Sequence, residues 1–375
     1  MLVYLDNSAT TKQYDKVTET MIKCMQEDFG NPSSMHRMGV ASEKILREAR
    51  KKVANSFNCT PDEVLFTSGG TESDNTAIFG IAKGKARAGK KIITTKVEHP
   101  AVLEACKKIE SEGFDVQYLS VDNECRVNPE EFKQSMTDDT ILASVMTVNN
   151  EVGTIQPIKE LYSMRGKNCI FHTDAVQAFG KVNIPLVDLI SVSGHKIHGP
   201  KGIGALYIKK GINLPPFILG GGQEKAMRSG TENVPAIAGL GLACEIASKS
   251  IKDDPCRPVK EYLEKGLQEE IKDIKINSPK DSVSNILNIS FLGTRSEVIL
   301  HRLEESEIYV SAGSACSSHK KGGSHVLKAM GLSQKEIEGA IRFSLCEFNT
   351  IEEMDYVIDK VKNAVAMFRR LGSYR

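Results

Sequence analysis

The sequence predicts an α/β fold with a mostly parallel sheet, and three observations support this. Short runs rich in Val, Ile, Leu and Thr recur up to residue 211, nearly continuous in apolar character, as strands covered on both faces must be. Helix-period segments lie between several of them, the alternation that builds a parallel sheet flanked by helices. Beyond residue 260 the pattern changes to amphipathic helices and an alternating strand, which indicates a smaller α+β domain.

The expected strands are seven: 63–70, 90–99, 115–122, 140–150, 169–175, 187–194 and 203–211. Between them, Thr71 to Lys83 reads as a helix. Pro100 to Gly113 reads as another, with Val102, Ala105, Cys106 and Ile109 on one face. "NILNISFLG" (285–293) alternates like a strand with one buried face. In the tail, Ile351, Met354, Ile358, Val361, Val365 and Phe368 recur at helical spacing behind a Thr350–Glu353 capping box. "LSQKEIEGAIRFSL" repeats the device with Ser333 and Glu336, then turns strand-like. The polar stretch "KSIKDDPCRPVK" (249–260), with two prolines, marks a domain junction.

Composition narrows the function. The chain has 375 residues, with 49 basic and 48 acidic side chains, so its net charge is +1. That balance excludes a general polyanion-binding surface and argues against nucleic acid as the primary partner. No signal peptide and no apolar run of membrane-spanning length is seen, so no membrane association and a cytoplasmic location are expected. The nine cysteines are scattered without a C-x-x-C pair, so free thiols are expected and a thiolate metal site is not. Cys106 and Cys244 fall in apolar helical patterns and read as core. Cys316 does not: "SAGSACSSHKKGG" (311–323) is too small and polar to bury it.

Ligands of parallel sheets gather beyond the carboxyl ends of strands, and three such ends carry chemistry. After "VLF" come Ser68, Gly69, Gly70 and Thr71 ahead of a helix. This is an anion cradle or an ordinary N-cap. After "IFHT" comes Asp174, a partner for a protonated ring nitrogen or a helix cap, with Gln177 three residues on. After "LISV" comes "SGHKIHGPKGIG" (193–204). Lys196 there is either a turn lysine or a desolvated nucleophilic amine, with His195, His198 and Lys201 as further depressing neighbours. Phosphate cradle, carboxylate and lysine together are the parts of a pyridoxal phosphate site.

With these motifs in place, the sequence resembles the cysteine desulfurases, in the class V aminotransferase branch of fold-type I pyridoxal phosphate enzymes. The resemblance runs through "YLDNSATT" (4–11), "NPSSMH" (31–36), "TSGGTESDN" (67–75), "VEHPAV" (97–102), "VNNEVGTIQPI" (148–158), "HTDAVQAFGK" (172–181), "SGHKIHGPKGIG", "GGGQEKAMRSGTENV" (220–234), "SAGSACSS" and "IRFSL" (341–345). It implies a large cofactor domain over 15–255 and a small domain of 1–14 and 256–375 that carries the Cys316 loop. It also implies roles. Lys196 is the Schiff-base lysine, Asp174 pairs with the ring nitrogen and Gln177 reaches the ring's phenolic oxygen. His99 stacks on the ring and moves protons, and Asn149 lies beside cofactor and substrate. Gly70, Thr71, Ser193 and His195 hold the phosphate, and Thr231 reaches the phosphate of the neighbouring subunit of a homodimer. Arg342 binds the substrate carboxylate, and Cys316 takes sulfur from L-cysteine as a persulfide, releasing alanine. Asn7, Asn31 and Arg228 belong to the surroundings of the site. A scaffold or sulfur-acceptor protein is the implied partner, in iron–sulfur cluster assembly or thiolation. Selenocysteine lyase, or another carbon–sulfur lyase using the same cofactor, is the alternative. Cys346 and Glu347 depart from the family pattern, and Cys346 reads as structural.

Overall fold

The computed structural model describes residues 1–251, 253–313 and 323–372. Cys316 and the basic residues behind it lie outside this range. In chain order the strands are β1 (Val3–Tyr4), β2 (Val64–Thr67), β3 (Lys91–Thr95), β4 (Asp115–Leu119), β5 (Thr140–Ser144), β6 (Ile170–Asp174), β7 (Leu189–Ser193), β8 (Gly204–Ile208), β9 (Ile274–Ile276), β10 (Ile286–Phe291), β11 (Ile308–Tyr309) and β12 (Ala340–Ser344). The helices are α1 (Asp15–Gln26), α2 (Arg37–Phe57), α3 (Gly70–Lys85), α4 (Pro100–Ser111), α5 (Pro129–Ser135), α6 (Ile158–Met164), α7 (Val234–Ser250), α8 (Cys256–Glu270), α9 (Ser296–Glu304), α10 (His325–Ala329), α11 (Gln334–Glu338) and α12 (Ile351–Gly372).

The seven expected strands form one sheet, ordered β2-β8-β7-β6-β5-β3-β4. β4, β3, β5, β6 and β7 pair in parallel, and β8 runs antiparallel to both of its neighbours. Both faces are covered, which explains the unbroken apolar strands. Val17, Val53, Leu161 and Leu240 of α1, α2, α6 and α7 lie in the cluster on one side. Ile78, Ile81, Val102 and Ile109 of α3 and α4 lie in the cluster on the other. β5 is shorter than the apolar run 140–150, since the chain leaves the strand after Ser144 to form the turn that borders the site. Cys106 and Cys244 are buried in these cores, as their pattern predicts.

A second sheet, β12-β10-β9, is antiparallel and carries its own core. Leu287, Ile289 and Phe291 of β10 meet Leu263 of α8 and Val357 and Val361 of α12 there, together with Val3 and Leu5. One expectation is corrected here. β10 is buried along its whole length, not on one face. Its polar side faces protein: Asn288 donates to the Glu151 carbonyl at 3.1 Å, and Asn277 donates to Ser290 Oγ at 2.7 Å. Paired amides and hydroxyls tolerate burial, so polar alternation did not report solvent. The capping boxes at Ser333 and Thr350 are both formed.

β1 pairs with β11, so the first strand joins the chain near residue 308. From there residues 6–11 run to the end of β7, where Thr11 N–H bonds the His195 carbonyl at 3.0 Å.

Candidate active site

The carboxyl ends of β2, β6 and β7 open on a cleft of about 250 Å³ lined by Ser8, Gly70, Thr71, Asp74, His99, Asn150, Asp174, Gln177, Ser193, His195, Lys196 and Arg342, among others. Lys196 ends the short helical turn Gly194–Lys196 that follows β7. Its Nζ donates to the Ser8 carbonyl and to the Ala9 carbonyl at 2.8 Å. Asp174 ends β6 and is 5% exposed, with Oδ1 accepting from Val176 N–H at 2.9 Å. Burial raises its carboxyl above the usual range, and the charges of His99 and Lys196 oppose this. A carboxylate in that position is stabilised by a cation delivered into the cleft.

α3 opens the cleft's other end. Its cap, Gly69, has φ +152°, a conformation that side chains rarely adopt, and offers no side-chain cap to the first turn. A Cβ on Gly70 would come within 2.7 Å of Val176 Cγ2. The helix N-terminus therefore meets the cleft as bare backbone, with Thr71, Ser193 and His195 beside it. His195 is lowered to about 4 by burial first and then by the Lys196 charge, so it is a neutral imidazole.

His99 caps α4, its Nδ1 accepting from Ala101 N–H at 3.2 Å. In the neutral ring that leaves the proton on Nε2. Burial lowers its pKa, against the pull of Asp174. Arg342, on β12, is 1% exposed. Nη1 donates to the Asn150 carbonyl at 2.9 Å and Nη2 to Asp6 Oδ1 at 2.7 Å, while Nε is buried without a partner among the described residues.

Asn149 departs from the expectation. It is fully buried, and its amide is committed to the Val97 carbonyl at 3.1 Å and to the Glu151 and Val152 N–H groups. The next residue, Asn150, lines the cleft. Thr231 is exposed and outside the cleft. Asn31 is exposed, Arg228 binds Glu72 at 3.0 Å, and Asn7 binds the Ser344 carbonyl at 2.9 Å. His198 turns away from Lys196 to bond the Lys12 carbonyl at 2.7 Å and stack on Tyr14, and Lys201 is exposed.

Sequence reasoning passed over three groups, two of them buried and the third half-buried. Asp74, on the inner face of α3, lies so that a carboxylate oxygen of its own, a ring nitrogen of His99 and a carboxylate oxygen of Asp174 fall within 4.8 Å of one another. Burial, then Asp174, raises its carboxyl well above the usual range. Glu98, raised to about 8 by burial, accepts from Thr95 Oγ1 at 2.8 Å and Met146 N–H at 3.0 Å. Lys181 ends the "HTDAVQAFGK" segment and borders the site from behind. Asp74 and Glu98 also sat inside quoted motifs, which was the only available signal.

The residues fit pyridoxal phosphate. The bare helix N-terminus suits a phosphate, the buried Asp174 suits a protonated ring nitrogen, and Lys196 lies between them. Fold and cleft together define a pyridoxal-phosphate-dependent enzyme of fold type I.

The aminotransferase class-V family matches residues 3–357. The cysteine desulfurase IscS of Methanosarcina thermophila is 45% identical over 99% of this chain and 93% of its own. The cysteine desulfurase IscS of Clostridium botulinum (strain Hall) is 43% identical over 99% of this chain and 96% of its own. A solved NifS-like protein superposes with a TM-score of 0.93 at 40% identity, over 98% of this chain and 100% of its own. The chain belongs to the cysteine desulfurase family, within the class-V aminotransferases.

Proposed function

We propose that this enzyme removes sulfur from L-cysteine, leaving a persulfide on Cys316 and releasing alanine. The reading is carried by the convergence of Lys196, Asp174 and the half-satisfied Arg342 on one cleft. Arg342 is held rigid by Asp6 and the Asn150 carbonyl, and its free Nε donates to the substrate carboxylate. Pyridoxal phosphate, when bound, supplies the electron sink that weakens bonds at the amino acid's α- and β-carbons. Gly70, Thr71, Ser193 and His195 hold its phosphate, Asp174 its ring nitrogen and Gln177 its phenolic oxygen. Lys196 takes the proton from the substrate α-carbon. His99, with its proton on Nε2, exchanges protons on the same side of the cleft. The Cys316 thiolate attacks the substrate sulfur. The carbon–sulfur bond breaks, its electron pair stays with the substrate carbon, and that carbon gains a proton to become the alanine methyl.

The same proposal includes a homodimer, with Thr231 reaching the neighbouring subunit's phosphate site. It also includes a cytoplasmic location and onward transfer to an acceptor protein of iron–sulfur assembly or thiolation. No described helix is long and apolar enough to cross a membrane.

L-cysteine is added to the loaded enzyme with a thiol reductant, and alanine and sulfide are measured together. They should rise in equal amounts. Cys316→Ser should keep the cofactor's visible spectrum and its response to L-cysteine, yet release no sulfide. Continued turnover by that variant, or pyruvate in place of alanine, would assign the chain to the lyase alternative.

A further inference from the structure

Lys181 has no place in the scheme above, yet it stands directly behind the cleft, against Gln177 of its lining. β6 runs into a helical turn in which Phe179 N–H bonds the Ala175 carbonyl and Lys181 N–H bonds the Ala178 carbonyl. Gly180, at φ +76°, closes that turn and brings Lys181 back against Gln177. Lys181 Nζ donates to Gln177 Oε1 at 3.1 Å. On its other side, Gln177 Nε2 donates to the Ser8 carbonyl at 2.9 Å, the same carbonyl that Lys196 holds.

An amide has two orientations that differ only by exchange of oxygen and NH2. Here both neighbours select the same one. A lysine ammonium has donors and no acceptor, and the Ser8 carbonyl has only lone pairs. Reversal would set NH2 against an ammonium and oxygen against oxygen, losing both hydrogen bonds, the one to Ser8 buried and the one from Lys181 part-buried. The lysine is pushed down to about 7, by burial first and then by the Lys196 charge. Its N–H groups serve Oε1 in either protonation state. Behind it lies a second cavity of about 80 Å³, where Cys256, Cys346 and Asn285 line the wall with Lys181. Neither amide atom of Asn285 is paired among the described residues, so it does not compete for Gln177.

We infer that Lys181 is a positioning residue: it locks the Gln177 amide so that its NH2 group, and not its oxygen, is presented to the cofactor's phenolic oxygen. The inference rests on the proposed placement of Gln177 beside that oxygen. A fixed donor stabilises the oxygen in its deprotonated form, so it lowers the pH at which the bound chromophore titrates and tightens cofactor binding.

The test titrates pyridoxal phosphate onto the stripped full-length protein and follows the visible absorbance of the loaded protein against pH. It compares wild type, Lys181→Met, Gln177→Ala and the double variant. Lys181→Met should weaken cofactor binding about five- to tenfold and raise the absorbance midpoint by roughly half a pH unit, the worth of about one neutral hydrogen bond. Gln177→Ala should do at least as much, and Lys181→Met should add nothing in its background. A full Lys181→Met effect in the Gln177→Ala background overturns the inference, since the lysine then acts elsewhere. No effect of Lys181→Met beside a clear effect of Gln177→Ala overturns it while leaving the proposed function intact. No effect of Gln177→Ala removes the placement on which it rests. Gln177→Glu keeps the lysine and replaces the donor by an acceptor. It should bind cofactor at least about tenfold more weakly, and unchanged binding would overturn the inference even if Lys181→Met does not fold.

Discussion

Glu98 shows how burial sets the state of a side chain beside the chemistry. One oxygen accepts from Thr95 and Met146 and the other has no partner among the described residues, so burial favours the neutral acid. Its folded pKa of about 8 stands above the ordinary 4.5. Between those values the folded chain binds more protons than the unfolded one, so this residue's contribution to stability falls as pH rises from 4.5 through 8. Glu98→Gln keeps the accepting oxygen and cannot ionise. Its unfolding temperature should gain on wild type steadily as pH is raised across that window, and a constant difference between the two would refute the assignment. At this scale the sequence was legible where a residue ends a strand. Lys196 and Asp174 lie in the cleft because strand ends point there. It was not legible where a turn chooses between neighbours. Asn149 and Asn150 are chemically identical, and only the turn 149–153, which consumes the first amide, decides which one faces the cleft.

The elements were legible where a local interaction fixes them. The seven sheet strands and the starts of α11 and α12 carry their own signals, and both capping boxes formed. The nature of β10 was not legible, because its polar face is satisfied by Glu151 and Asn277, which are distant in sequence. α12 gives a prediction. Glu353 N–H bonds Thr350 Oγ1 at 3.3 Å, and Thr350 N–H bonds the Glu353 carboxylate at 3.1 Å. Thr350→Ala should cost about 1 kcal/mol of unfolding free energy. In denaturant melts the midpoint should move with little change in slope, and an unchanged midpoint would show that the cap contributes nothing.

The whole molecule was legible as an α/β fold on a mostly parallel sheet, because the apolar pattern of the strands reports layers. The route by which residues 1–11 reach the lysine was not, since its partners lie more than 180 residues away. That route has a consequence in time. The ribosome makes Ser8 and Ala9 well before the strands that help to hold them beside Lys196: β1 waits for β11, Asn7 and Ser8 wait for Ser344, and Asp6 waits for Arg342. Residues 8–11 also bond Gln177, His195 and His198, so the late strands complete a hold that the large sheet begins. Ribosome-bound chains arrested short of Ser344 should take up no pyridoxal phosphate, and chains released in full should take it up. Cofactor capture by the shorter chains would show that the large sheet alone builds the cleft. On that prediction, residues 6–9 act as a latch that closes beside the lysine only once β11 and β12 are in place.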